Sequence, residues 1–179
     1  MRATDILQFW FTELTPKQHF AKDAALDETI RTRFGATLEA AAKCELFAWR
    51  ATLEGRLAEV LVLDQFSRNV YRGTPRAFAQ DVLALVLAQE LVASTQDRSL
   101  PPAQRSFAYM PYMHSESTLV HAQAVALFSQ PGLQDNLRFE LRHKEIIDRF
   151  GRYPHRNKIL KRESTTDELA FLSEPGSAF

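Results

Sequence analysis

The sequence predicts an all-α fold in a single domain spanning 1–179. Three observations carry this. Apolar residues recur at helical spacing in several stretches, no stretch alternates cleanly with period two, and Gly, Pro and polar caps punctuate the chain at short intervals. The expectation is seven or eight helices joined by short turns and packed as antiparallel pairs, with no sheet. A chain of 179 residues can bury one real core and is short for two.

Asp5–Phe11 reads as a first short helix capped by Thr4 or Asp5, with Ile6, Phe9 and Trp10 on one side. Thr15-Pro16 ends it. From Asp23 an amphipathic helix runs through Leu26, Ile30, Phe34 and Leu38 and stops near Cys44, which is expected half-buried at the helix end and without a catalytic role. Arg56 to about Phe66 is apolar on most sides (Leu57, Val60, Leu61, Val62, Leu63), so it reads as a central helix closed by Asp64–Asn69. Thr74-Pro75 places a cap and a first-turn proline at the start of a fourth helix running to Ser94. Its inward face is expected to hold Phe78, Val82, Leu85, Val86 and Leu91. Pro101-Pro102 opens a short helix that Pro111 is expected to break. Ser115 is the expected cap of the next helix, with Glu116 in its first turn. A further helix covers Leu133–Phe150. Thr165 with Glu168 makes a capping box for a last short one, and about 174–179 is expected to be a frayed tail.

Lys plus Arg and Asp plus Glu both number 22, a zero balance that argues against a nucleic-acid partner. The charge is uneven: residues 138–163 hold nine Lys/Arg against four acids, +5, and the remainder is −5. A local basic patch in a neutral chain suits a small anionic partner. A single cysteine excludes an internal disulfide. Neither a signal-peptide core nor an apolar run of spanning length is present, so a cytoplasmic location and no membrane partner are expected.

The densest chemistry lies in His143–Asn157, where a helix stops at Gly151 and turns through Pro154 with two His, three Arg and an Asn. Capping needs far less hydrogen-bonding capacity than this. The same pattern occurs twice: Asp64-x-Phe66-x-Arg68 and Asp148-x-Phe150-x-Arg152 each follow an aliphatic run. Matched ends of this kind are expected to converge on one polar pocket. The bland reading is two similar helix endings, each held by roughly 0.2–0.5 kcal/mol of local ion pairing.

Three stretches carry a family resemblance: Leu63-Asp-Gln-Phe-Ser-Arg-Asn69, Met113-His-Ser-Glu116, and Arg149–Asn157 with Arg162–Thr165. They resemble the bacterial domain-of-unknown-function family 924. The resemblance covers nearly the whole chain and implies a tetratricopeptide-like all-α superhelix, with no established reaction. Four departures stand out: Ser67 for the usual Pro, Tyr153 for Phe, His121 for Gln and Lys161 for Gly. The last puts in question how tightly the loop before Arg162 turns.

Among possible chemistries, the residues favour anion binding with acid–base hydrolysis. His143, His155 and Asp64 are the catalytic candidates. Arg68, Asn69, His114, Glu116, Arg149, Arg152, Arg156 and Asn157 are the candidate ligand-binding set. A metal site is not expected: Glu140-x-x-His143 occurs once where a di-iron bundle needs two copies, and the looser set His114, Glu116 and His121 would need a further partner such as His143 or Asp64. No cofactor motif occurs. The competing readings are a module that grips a peptide carboxylate in an open groove, and a polar cluster that only locks the helices together.

Overall fold

The computed structural model describes residues 1–177, and among them the regular structure is helical with no strand. The α-helices are α1 Ala3–Gln8, α2 Ala24–Ala42, α3 Leu53–Leu61, α4 Ser67–Val70, α5 Asp81–Ala93, α6 Pro102–Met113, α7 Thr118–Phe128, α8 Gln134–Phe150 and α9 Thr166–Leu172. A π-helical turn, Val62–Phe66, joins α3 to α4 in one rod. With that rod counted once, eight helices are described, and α5, α6 and α7 each pack on the next. None is long and apolar enough to cross a membrane.

Local signals set several boundaries. The Asp23 carboxylate accepts from the N–H groups of Ala25 (2.8 Å) and Leu26 (3.2 Å), capping α2. At its far end, Cys44 (φ 59°) holds the left-handed position of a Schellman motif, with Cys44 N bonded to Ala41 O and Glu45 N to Ala40 O. Cys44 is exposed, not half-buried, because that conformation turns it out of the helix stripe. The Thr165–Glu168 capping box starts α9.

The rod from Leu53 is the central element, and Leu57, Val60, Leu61, Val62 and Leu63 are all fully buried. Its start lies so close to the preceding turn that a Cβ on Gly55 would sit 1.9 Å from the Trp49 carbonyl oxygen. Phe9 and Phe66 each pack at a tilt on Phe34, with centroids 4.8 Å and 5.1 Å apart, and Trp10 joins them at 5.7 Å from Phe66.

The chain departs from expectation at five points. The cap of α1 is Arg2, paired with Asp5. The central helix does not end near Phe66 but continues through the π-turn to Val70. Thr74-Pro75 opens a 3-10 turn, and α5 begins only at Asp81. Pro111 lies inside α6: residues 106–113 are all buried, so packing outweighs the one lost backbone bond. Helix α7 starts at Thr118 after Ser117, leaving Ser115 and Glu116 in a loop.

Helix α5 also faces differently from expectation. Its inward residues are Ala84, Ala88 and Leu91, while Val82 is 76% exposed and Val86 47%. The helix is apolar nearly all round, so its sequence has no periodic stripe to orient it. At the C-terminal end, Ser177 is buried and its hydroxyl donates to Leu172 O at 3.1 Å, so the segment is tied down as far as 177. Positions 178–179 of the expected tail lie outside the described residues.

Candidate functional site

The π-turn puts Asp64 inside the protein with its side chain 1% exposed. Such turns widen a helix by one residue and are common where a side chain must be re-aimed at a functional site. Asp64 Oδ1 lies 2.7 Å from His114 Nδ1 and 3.2 Å from Arg68 Nη1, and Oδ2 accepts from Gln65 Nε2 at 2.5 Å. Burial alone would raise the Asp64 pKa, but Arg68 and His114 outweigh it and hold the carboxyl well below the usual range. Asp64 is therefore an acceptor, and His114 donates through Nδ1–H. Burial, then the Arg68 charge, lowers the His114 pKa, so the imidazole is neutral at pH 7 and Nε2 carries its lone pair.

Arg68 and Arg156 meet at Asp81, in the first turn of α5. Arg68 grips it bidentately (2.9 and 3.0 Å) and also donates to Asp64 O at 2.8 Å. Arg156 donates to Asp81 Oδ2 at 3.2 Å and to the His114 carbonyl at 3.1 Å. Its guanidinium lies between the rings of Phe78 (4.7 Å) and Tyr153 (4.6 Å). Among the described residues these bonds occupy only two of its five N–H groups, and buried Nε is unpaired. Burial first, and Arg68 second, lower the Arg156 pKa.

A cavity of about 280 Å³ opens beside this cluster. Its polar lining is Asp81, His114, Ser115, Glu116 and Arg156; its apolar lining is Pro75, Phe78, Val82, Leu85 and Leu160. Glu116 is held by Arg162 through two bonds (2.6 and 3.0 Å) and by Tyr153 N–H at 2.8 Å. Burial would raise its pKa, but Arg162 and that N–H together lower it. Freedom from a capping role lets the Ser115–Ser117 loop supply both Glu116 and the Ser115 carbonyl, which accepts from His121 Nε2 at 2.9 Å.

The candidates from the sequence therefore divide. Asp64, Arg68, His114, Glu116 and Arg156 come together. Asn157 lies one layer behind, bonding Ser164 Oγ and Arg162 Nε. Asn69 goes elsewhere, donating to Asp27 of α2 at 2.8 Å. Arg149 is on the outer face of α8, over the Phe150 ring at 4.6 Å. Arg152 is spent on Glu168 and the Glu163 carbonyl.

His143 is buried, donates Nδ1–H to Phe139 O at 2.8 Å, and packs its ring on Tyr153; burial lowers its pKa to about 3. His155 also lies by Tyr153, with burial and Arg156 lowering its pKa to about 4. Neither lines the cavity. The expected convergence of the two matched helix ends is not found: Asp148 is exposed and pairs with Lys144 on its own helix at 2.5 Å. The partner that meets Arg68 is Arg156, from the turn beyond α8.

Sequence reasoning missed Asp81 and Phe78 as site residues. One signal was present for Asp81: it is the only charge from Asp81 to Gln89 in an otherwise apolar helix. Among the described residues no three His, Cys, Asp or Glu side chains are grouped so as to hold a metal ion. His121 is instead paired with buried Glu140 at 2.7 Å.

Fold and site together define an all-α protein with a buried Asp–His–Arg cluster opening on a small cavity. The chain belongs to the family described as bacterial protein of unknown function (DUF924), whose model matches residues 6–176. A solved structure of a protein of unknown function from Agrobacterium tumefaciens is similar to it, with 39% identity, 97% of each chain covered and a TM-score of 0.91. No curated protein matches the sequence.

Proposed function

We propose that the cavity binds a small anionic ligand at Arg156, and that the Asp64–His114 pair is the base that activates water for acid–base hydrolysis of an ester releasing that anion. The observation that carries this reading is the buried Arg156 guanidinium, with two of five N–H groups engaged, lining the same cavity as an imidazole oriented by a carboxylate. An ionised Asp64 fixes the tautomer that points a proton-accepting Nε2 away from itself, as a general base requires. The base is His114 in place of His143 or His155, which lie off the cavity. With about 280 Å³ of space, the cavity is of a size for a small molecule.

Thermal shift with phosphate, sulfate, acetate and citrate tests the binding step. An anion at a hundred times its dissociation constant stabilises the fold by about 2.7 kcal/mol, which raises Tm by roughly 5–10 °C. Arg156→Lys keeps the charge but loses the planar fork, and should abolish most of the shift. Arg152→Lys should retain it. An equal response of wild type and Arg156→Lys to every anion would remove Arg156 as the binding group. For the chemical step, a panel of p-nitrophenyl esters should show His114→Gln reducing kcat by about 10²–10⁴. The wild-type rate should fall on acidification as His114 protonates. Identical rates in His114→Gln would end the hydrolytic reading and leave binding standing.

A further inference from the structure

We infer that the ligand is an amphipathic monoanion: one carboxylate head at Arg156, joined to a short unbranched aliphatic tail that lies along α5. This rests on the proposed anion site and narrows its ligand. The charge of the lining limits the head. Arg156 is the one cation among the residues lining the cavity, while Asp81 and Glu116 line it too. These two carboxylates would repel a second negative charge placed a few ångströms away. Citrate and nucleoside polyphosphates are disfavoured on this ground.

The remaining lining defines the tail. Phe78, Val82, Leu85 and Leu160 give the cavity an apolar wall. That wall continues outside it: Val86 lies four residues beyond Val82 on the same helix face, and the two are 47% and 76% exposed. Helices on protein surfaces ordinarily turn such a stripe inward. Here Ala84 and Ala88 take the inward positions and leave the larger aliphatics outside, in line with the cationic end. A liquid water occupies about 30 Å³ and a methylene is of similar size. The 280 Å³ cavity thus takes a head group and roughly five or six methylenes.

The test is a titration of the purified protein with acetate, butyrate, hexanoate and octanoate, the matching alkyl phosphates, hexanol and citrate, read by calorimetry. Each added methylene should tighten Kd by about threefold to fourfold until the tail outgrows the cavity. Hexanol, which lacks the charge, should bind far more weakly than hexanoate. Alkyl phosphates, which carry about −1.5 to −2 at pH 7, should bind more weakly than the carboxylates of equal length; the reverse order would overturn the monoanion. Val82→Ser changes an exposed residue, does not threaten the core, and should lower octanoate affinity more than acetate affinity. Acetate and octanoate binding equally well would overturn the aliphatic tail while leaving the anion site in place. Citrate binding more tightly than hexanoate would overturn the monoanion. No binding of any anion, with inorganic phosphate also silent, would remove the site itself.

Discussion

Two stretches of this chain share one pattern and have opposite fates. Asp64-x-Phe66-x-Arg68 and Asp148-x-Phe150-x-Arg152 place the same three residues at the same spacing after an aliphatic run. In the first, a π-turn in the most buried rod carries Asp64 to 1% side-chain exposure, where it orients His114 and joins Arg68. In the second, a regular helix ends at Gly151 (φ 68°), Asp148 stays 47% exposed on Lys144, and Arg152 turns away to Glu168. An Asp–Arg pair four apart is a weak surface feature by itself. Burial and a third partner make the first one a candidate for chemistry.

The contrast is sharpest in stability. Asp64→Ala leaves the Arg68 charge buried with a partner removed, and should cost about 3–5 kcal/mol. Asp148→Ala should cost under about 0.5 kcal/mol. Urea unfolding of the two variants decides the matter, and equal losses would erase the distinction between the ends.

Acid should separate the two faces of α8 as well. Asp148 is on the outer face and His143 on the inner. His143 is neutral in the fold with a pKa of about 3, and His155 nearby has one of about 4, whereas an unfolded imidazole titrates near 6.5. Both folded values are depressed, so their contribution is fully present above about pH 6.5. It is lost progressively as pH falls towards these values. Between pH 7 and pH 5 the two together should remove about 2–4 kcal/mol of stability. His143→Gln should flatten that slope by about half; an unchanged slope would show that other groups carry it.

The smallest expected effects lie where non-glycine residues hold left-handed backbone. Lys161 (φ 56°) closes the loop before Arg162, whose N–H donates to Asn157 O at 2.8 Å. The turn that a glycine would make easily is thus kept by a strained lysine, and the site-facing Arg162 remains in place. Lys161→Gly, and separately Cys44→Gly, should each stabilise by about 0.5–1 kcal/mol in thermal unfolding. A loss of stability at Lys161 would mean that its side chain supports the loop.

What the sequence discloses depends on whether a signal is local. Asp23 as a cap, Leu57–Leu63 as a central helix and Thr165 with Glu168 as a capping box are readable because each depends on neighbours a few residues away. The orientation of α5 is not, since a helix apolar on every side gives no direction until its packing partners are known. At the site, Asp64, Arg68, His114 and Arg156 stand out by type. What brings them together is Asp81, an acid thirteen residues from Arg68 and seventy-five from Arg156. The two family departures His121 and Tyr153 are likewise neighbours only in space, with Tyr153 Oη 3.2 Å from His121 Nε2 and donating to Met113 O at 2.5 Å.

The π-turn at Val62–Phe66 also fixes the length of the rod that contains it. One residue adds about 100° of rotation to an α-helix, but the π-turn takes up its extra residue within a single turn. The rod on either side therefore stays in phase, and the rearrangement is confined to the turn that holds Asp64. Deleting one residue here should relax the segment to ordinary α geometry, turning Asp64 away from His114 while Arg72 keeps its grip on Asp27 at 2.6 and 2.8 Å. The extra residue thus re-aims one carboxylate without disturbing the guanidinium contacts that follow it.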